Sequence, residues 1–299
     1  MTVVRPLTEA DLAACIELSR SARWNQNESD WAMMLALGRG WGIDAGTDSS
    51  PAKRVLAASA LVVPYQLPPG GASEETAPIG FAWISMVLVL PQFQRRGFAT
   101  RLLRHALDDL RDARLVPVLD ATPAGFPVYL KQGFVPAWAF RRYRRESAAP
   151  APAARSAPGT RPIEERDWPA LMAFDAPAFG ADRERLLRLL AARMPQAARI
   201  AEQDGRITGF VFGRDGTDAT QIGPLVAAST QVAQILIDDA LADLAGAVQV
   251  DLADRYLALL EGLVVRGFLL QRPFTRMTPA GAPPGDPSRV VLVAGPELG

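Results

Sequence analysis

Val89-Leu90-Pro91-Gln92-Phe93-Gln94-Arg95-Arg96-Gly97-Phe98-Ala99-Thr100 decides how this 299-residue chain is read. Ahead of it, Val87-Leu88-Val89 ends a hydrophobic run with strand character, and Pro91 stops the strand because it has no N–H for a ladder. Behind it, Leu102, Leu103, Ala106, Leu107 and Leu110 recur at helical spacing. The stretch is therefore a strand, a turn and a helix N-terminus. The first N–H groups of a helix have no intrahelical acceptor and lie at the positive end of its dipole, so such a turn suits a pyrophosphate. Gly97 lets a ligand approach the backbone, Ala99 keeps the helix tight, and Arg95 and Arg96 add positive charge. Neither Gly-x-Gly-x-x-Gly nor Gly-Lys-Ser/Thr occurs, which argues against dinucleotide and P-loop sites.

Gln94-Arg95-Arg96-Gly97-Phe98-Ala99 resembles the Gln/Arg-x-x-Gly-x-Gly/Ala motif of the GNAT (GCN5-related) acyltransferases. Val89-x-Pro91 and Tyr129-Leu130-Lys131-Gln132-Gly133-Phe134 occur in that family at similar places. The resemblance implies transfer of an acetyl group from acetyl-CoA to a primary amine by direct attack. It also implies that the main chain of Val87, Leu88 and Val89 pairs with the pantetheine arm. Gln94, Arg95, Arg96, Gly97, Phe98, Ala99 and Thr100 would then hold the pyrophosphate.

Attack of an amine on a thioester needs a proton acceptor for the amine and an acid for the departing thiolate. The resemblance makes Tyr129 that acid; a core tyrosine between helix and sheet is the alternative. Asp120 is the best base among the residues, because the run Ile79 to Val89 has no carboxylate; its Leu119-Asp120-Ala121-Thr122-Pro123 setting equally suits a turn or N-cap. The family's usual asparagine before the tyrosine is missing, and a water chain is a further candidate base. Trp24, Asn25, Gln26, Asp30 and Trp31 lie where GNAT proteins build an acceptor wall, suited to an amine by stacking, cation–π contact and charge. The competing reading is a helix capped by Asn27 or Ser29 with its tryptophans packed inward. His105 reads as a surface residue and Cys15 as a small core residue. Arg141, Arg142, Arg144 and Arg145 read as a solvated strand end, with a coenzyme 3′-phosphate or RNA contact as the alternative.

The chain repeats itself. Arg5-Pro6-Leu7 followed by Asp11-Leu12 matches Arg161-Pro162-Ile163 followed by Asp167-Trp168. A slide of 134 aligns Leu102-Leu103 with Leu236-Ile237, Ala106-Leu107 with Ala240-Leu241, and Gly133-Phe134 with Gly267-Phe268. Under it Ala228-Ser229-Thr230-Gln231-Val232-Ala233 stands opposite Gln94 to Ala99, without the glycine and both arginines, and Leu263 stands opposite Tyr129. The expected organisation is an α/β (α+β) fold of two tandem GNAT-like domains, each a mixed, mostly antiparallel sheet flanked by helices. Residues 1–146 form the catalytic domain, 147–160 a Pro/Ala-rich linker and 161–299 a degenerate copy; 66–78 reads as a hairpin insertion, and the run from Arg289 to Pro296 as a closing strand.

The 32 basic and 32 acidic residues cancel, which removes the global field that recruits nucleic acid or an anionic membrane. One cysteine and one histidine leave too few soft ligands for a metal site and fit a reducing cytoplasm. No apolar run reaches the roughly 18 residues of a membrane span. The acceptor is a small amine or a peptide, and no residue pattern sets an oligomeric state. A non-catalytic acyl-CoA-binding sensor is the alternative function, kept by the missing strand carboxylate.

Overall fold

The computed structural model describes residues 3–45, 55–67, 79–147, 159–242, 244–279 and 284–299. The expected hairpin insertion and linker lie almost wholly outside the described residues. In chain order the elements are β1 (Val4–Pro6), α1 (Leu12–Ser21), α2 (Glu28–Leu37), β2 (Arg39–Ala45), β3 (Val55–Gln66), β4 (Gly80–Val89), α3 (Phe98–Asp112), β5 (Leu115–Ala121), α4 (Phe126–Leu130) and β6 (Val135–Arg145). They continue with β7 (Thr160–Pro162), α5 (Trp168–Phe179), α6 (Glu184–Arg193), β8 (Arg199–Gln203), β9 (Arg206–Arg214), β10 (Thr220–Ala227), α7 (Thr230–Ala242), β11 (Val248–Ala253), α8 (Leu260–Val265), β12 (Leu269–Thr278) and β13 (Val290–Leu292).

The chain divides into two compact units, and the division falls between Leu119 and Asp120. In the first unit the strand order is β1-β2-β3-β4-β5. β2 pairs antiparallel with β1 and β3, whereas β4 and β5 run parallel. β3 and β4 are covered on both faces, which is why they read as near-continuous apolar runs. α3 packs by its stripe: Leu102, Leu103, Ala106 and Leu110 are buried while Arg101, Arg104 and Asp108 are exposed.

The second unit orders its strands β12-β6-β11-β13-β10-β9-β8-β7. α7 lays Ala233, Leu236, Ile237, Ala240 and Leu241 on a core that includes Val211, Ile222, Leu225, Val250, Leu252 and Leu292. β6 pairs antiparallel with β11 on one side and β12 on the other. By the repeat, β6 closes the first copy; by its hydrogen bonds it sits inside the second unit's sheet. The sequence repeat and the compact units therefore divide the chain at different places.

The repeat is visible atom by atom. Arg5 binds Asp11 (2.8 Å) and Asp44 (2.7 Å), and Arg161 binds Asp167 (2.6 Å) and Glu202 (2.7 Å). Asp11 accepts from the Thr8 N–H, as Asp167 does from the Glu164 N–H. Gly133 and Gly267 take left-handed φ values of 85° and 82°, and the phenylalanine after each is buried. The fold is mixed α/β, with mostly antiparallel sheets flanked by helices, built twice.

Candidate active site

The first unit opens between β4 and β5. The two strands pair only from Gly80 with Leu115 to Trp83 with Val118. Met86 then takes a left-handed φ of 51°, and Ser59 Oγ donates to its carbonyl oxygen at 2.7 Å. Such a residue in mid-strand bends the strand and ends its pairing. The main chain of Val87 to Val89 is left without a register partner on β5.

The turn follows directly. Pro91–Phe93 forms one 3₁₀ turn, Arg95 has φ 61° and Gly97 φ 79°. The first bond of α3 runs from the Arg101 N–H to the Gly97 carbonyl oxygen at 3.0 Å. The N–H groups of Phe98, Ala99 and Thr100 therefore have no intrahelical acceptor, and no side chain caps the helix. A Cβ added at Gly97 would meet nothing within 4 Å, so its backbone faces open space. Gln94, Arg95, Arg96 and Gly97 are exposed; Arg96 lies over the Phe93 ring at 5.2 Å, and Gln94 Nε2 donates to Val89 O at 3.3 Å. Every expected coenzyme residue from Val87 to Thr100 thus belongs to one continuous strand edge and turn.

Tyr129 and Asp120 belong to the second unit. Tyr129 is half-buried on α4, edge-on to Phe134 at 6.1 Å, and burial pushes its phenol up to about 12. It is protonated at neutral pH and able to give a proton. The Asp120 side chain is fully buried, and its two oxygens accept from Arg276 Nε at 2.9 Å and Nη2 at 3.0 Å. Burial pushes this carboxyl up, against the pull of the Arg276 guanidinium. A carboxylate enclosed in this way is arranged as an ion pair and presents no free oxygen to an incoming amine.

The five expected acceptor residues divide. Asp30 and Trp31 are buried. Asp30 closes a capping box with Asn27, each side chain accepting from the other's backbone N–H at 3.0–3.1 Å, and Trp31 Nε1 donates to Ser19 Oγ at 2.9 Å. Both therefore serve the start and seat of α2. Asn25 and Gln26 are also buried, which leaves Trp24 as the one of the five that is only half-buried.

The arginines of β6 are not a solvated strand end. Arg142 forms a buried bidentate pair with Asp251 at 2.8 and 2.7 Å, and Arg141 pairs with Asp254 at 3.2 Å. Arg144 meets Glu146 at 2.9 Å, and Arg145 donates to Leu244 O. Sequence reasoning missed Asp251, although one charged residue in an otherwise buried strand signals a buried partner. His105 is exposed and edge-on to Trp41 at 5.1 Å. Cys15 is fully buried, and burial pushes its thiol up to about 12. Iodoacetamide at pH 8 should therefore label it only under denaturing conditions; labelling of the folded chain, read by mass spectrometry, would contradict this. Among the described residues no three His, Cys, Asp or Glu side chains are grouped to hold a metal, and no helix is long and apolar enough to cross a membrane.

A family model described as an acetyltransferase (GNAT) domain matches residues 3–137, and a second of the same description matches residues 171–291. An uncharacterized N-acetyltransferase of Bacillus subtilis strain 168, YitH, is 30% identical over 185 residues, which are 62% of this chain and 65% of the relative. The match thus spans just under two thirds of that relative. Among solved structures, a candidate acetyltransferase from Pyrococcus horikoshii shares the fold over 100% of this chain and 96% of its own, with TM-score 0.73 and 20% identity. A tandem GNAT protein from the clavulanic acid biosynthesis pathway aligns over 93% of this chain and 98% of its own, with TM-score 0.59 and 13% identity. The chain belongs to the GNAT acetyltransferase family and carries its domain twice in tandem.

Proposed function

We propose that this protein is an N-acetyltransferase that moves the acetyl group of acetyl-CoA to a primary amine, with the coenzyme held by the first copy. The observation that carries the proposal is the parting of β4 from β5 after Trp83, followed at once by an uncapped helix N-terminus at Gly97. A strand edge without a partner on β5 suits the amide-rich pantetheine arm, and helix N–H groups suit the pyrophosphate.

In the reaction the amine nitrogen attacks the thioester carbonyl carbon, a C–N bond forms, and the C–S bond breaks to release the coenzyme thiolate. Tyr129 is the candidate that protonates this thiolate, by the family resemblance and by a phenol that burial keeps protonated. The ammonium proton passes to water, because Asp120 is engaged with Arg276. The balanced charge of the chain suits a small amine or a peptide acceptor over nucleic acid.

Free-thiol release from acetyl-CoA, screened across small amines, amino acids, aminoglycosides and peptides, tests the proposal. Tyr129→Phe should lower kcat roughly 100-fold with the KM for acetyl-CoA unchanged, the lower end of what general acid catalysis contributes. An unchanged kcat would remove Tyr129 from the mechanism. Coenzyme binding without amine-stimulated release would instead favour a sensor.

A further inference from the structure

The second copy has the same opening as the first, and the chain fills it. β10 and β11 pair in parallel only from Thr220 with Val248 to Ile222 with Val250. Gly223, with φ 141°, follows, and on its other side β10 shifts register against β9 between Ile222 and Leu225. Into the gap runs β13. Leu292 and Val290 pair antiparallel with Leu225 and Val226 of β10, and Leu292 also pairs with Leu252 of β11. The Val293 N–H continues the seam to Asp251 O at 3.1 Å. The approach is close enough that a Cβ on Gly223 would lie 2.1 Å from Val293 O.

The segment is pinned as well as paired. Val291, Leu292, Val293 and Ala294 are fully buried. Arg214 holds Glu297 and the Ala294 carbonyl from β9, with both charged side chains buried. Arg183, itself in a buried pair with Asp175 at 2.8 Å, donates to Gly299 O at 3.2 Å. The helix end is closed too. Ser229, the residue before α7, accepts through its Oγ from the Val232 N–H at 3.2 Å, whereas the residue before α3 is the bare Gly97. An N-cap serine satisfies a donor that an anion would otherwise take.

We infer that the second copy is a coenzyme cleft occupied by the chain itself, so that each chain takes up one coenzyme A, in the first copy. Residues 290–293 lie where a pantetheine arm would pair, and Ser229 takes a donor that a pyrophosphate would use. The occupant itself follows from the second unit alone; only the count of one rests on the function proposed above.

Calorimetric titration of the full chain with coenzyme A, alongside its Gly97→Asp variant, tests the count. Hydrogen exchange of peptides covering 290–299, with and without saturating coenzyme A, tests the occupant. The expected result is one coenzyme per wild-type chain, none in the variant, and amides at 291–293 slowed at least about 1,000-fold equally in both conditions. Two coenzymes per chain, or one persisting in the variant while 290–293 lose protection, would overturn the inference and leave the proposed function standing. If neither protein binds, the reading of the first copy falls, while exchange still decides the occupant: slow exchange at 291–293 upholds it, and exchange at a free-loop rate overturns it.

Discussion

Gly97→Asp should raise the KM for acetyl-CoA at least about 100-fold, since juxtaposing like charges costs several kcal/mol. Its melting temperature should stay within about 5 °C of the wild type, because a left-handed conformation costs an L-residue roughly 1–2 kcal/mol and aspartate tolerates it better than most. The site is exposed and a Cβ meets nothing within 4 Å, so the substitution adds charge at the helix N-terminus without a clash. Gly97→Ala separates the two effects: it brings the backbone cost without the charge and should change KM far less. Steady-state kinetics with a thermal melt of each variant gives the comparison. A Gly97→Asp enzyme whose KM stays within about threefold of wild type would place the pyrophosphate elsewhere.

Asp251→Ala should destabilise the protein by about 3–5 kcal/mol, the usual cost of leaving a buried charge unpaired. That corresponds to a fall of roughly 6–20 °C in melting temperature for a unit of this size. Asp251 is fully buried and receives both arms of Arg142; Gln221 Nε2 approaches it at 3.4 Å and is in turn held by Gln249 at 2.7 Å. Removing the carboxylate strands the Arg142 guanidinium between β6 and β11. The double variant Arg142→Met/Asp251→Leu should recover most of the loss, because the penalty lies in the unpaired charge more than in the absent pair. Chemical denaturation of the three variants decides this. A single variant that loses under 1 kcal/mol would mean that the pair is not buried in solution.

What the sequence disclosed and what it withheld follow from the range of the interactions. The strand, turn and helix from Val87 to Leu110 are local, and each residue's role there depends on near neighbours. The repeat was legible for the same reason, since Gly133 and Gly267 each open a short left-handed turn. α5 was hidden because eleven of its twelve residues are apolar, its one charge, Asp175, is buried, and it includes Pro169 and Pro177. The first proline sits in the first helical turn, where no N–H is needed, and Gly180 ends the helix in a left-handed cap. Asp120 looked like a free carboxylate because its partner, Arg276, lies 156 positions away. Asp30 and Trp31 fell to the local alternative, whose signal, Asn27 three residues before Asp30, was present in the sequence. The run from Arg289 to Pro296 was legible as a strand, but its seat between β10 and β11 depends on a gap that only the folded sheet contains.

The place of β6 between β12 and β11 also sets an order of events at the ribosome. Arg142 must wait for Asp251, 109 residues further along, before its strand has a neighbour. At bacterial-like synthesis rates of about 5–20 residues per second that is roughly 5–20 s of exposure for an unpaired strand. Its sequence, Val-Pro-Ala-Trp-Ala-Phe-Arg-Arg-Tyr-Arg-Arg, carries three aromatic rings that invite aggregation and four arginines that resist it. The four charges, two of which later bind the buried Asp251 and the half-buried Asp254, therefore act first as gatekeepers on the nascent chain. A gene fragment that begins after the repeat boundary would deliver the second unit without this strand, and the exposed edges of β11 and β12 would remain open to other chains.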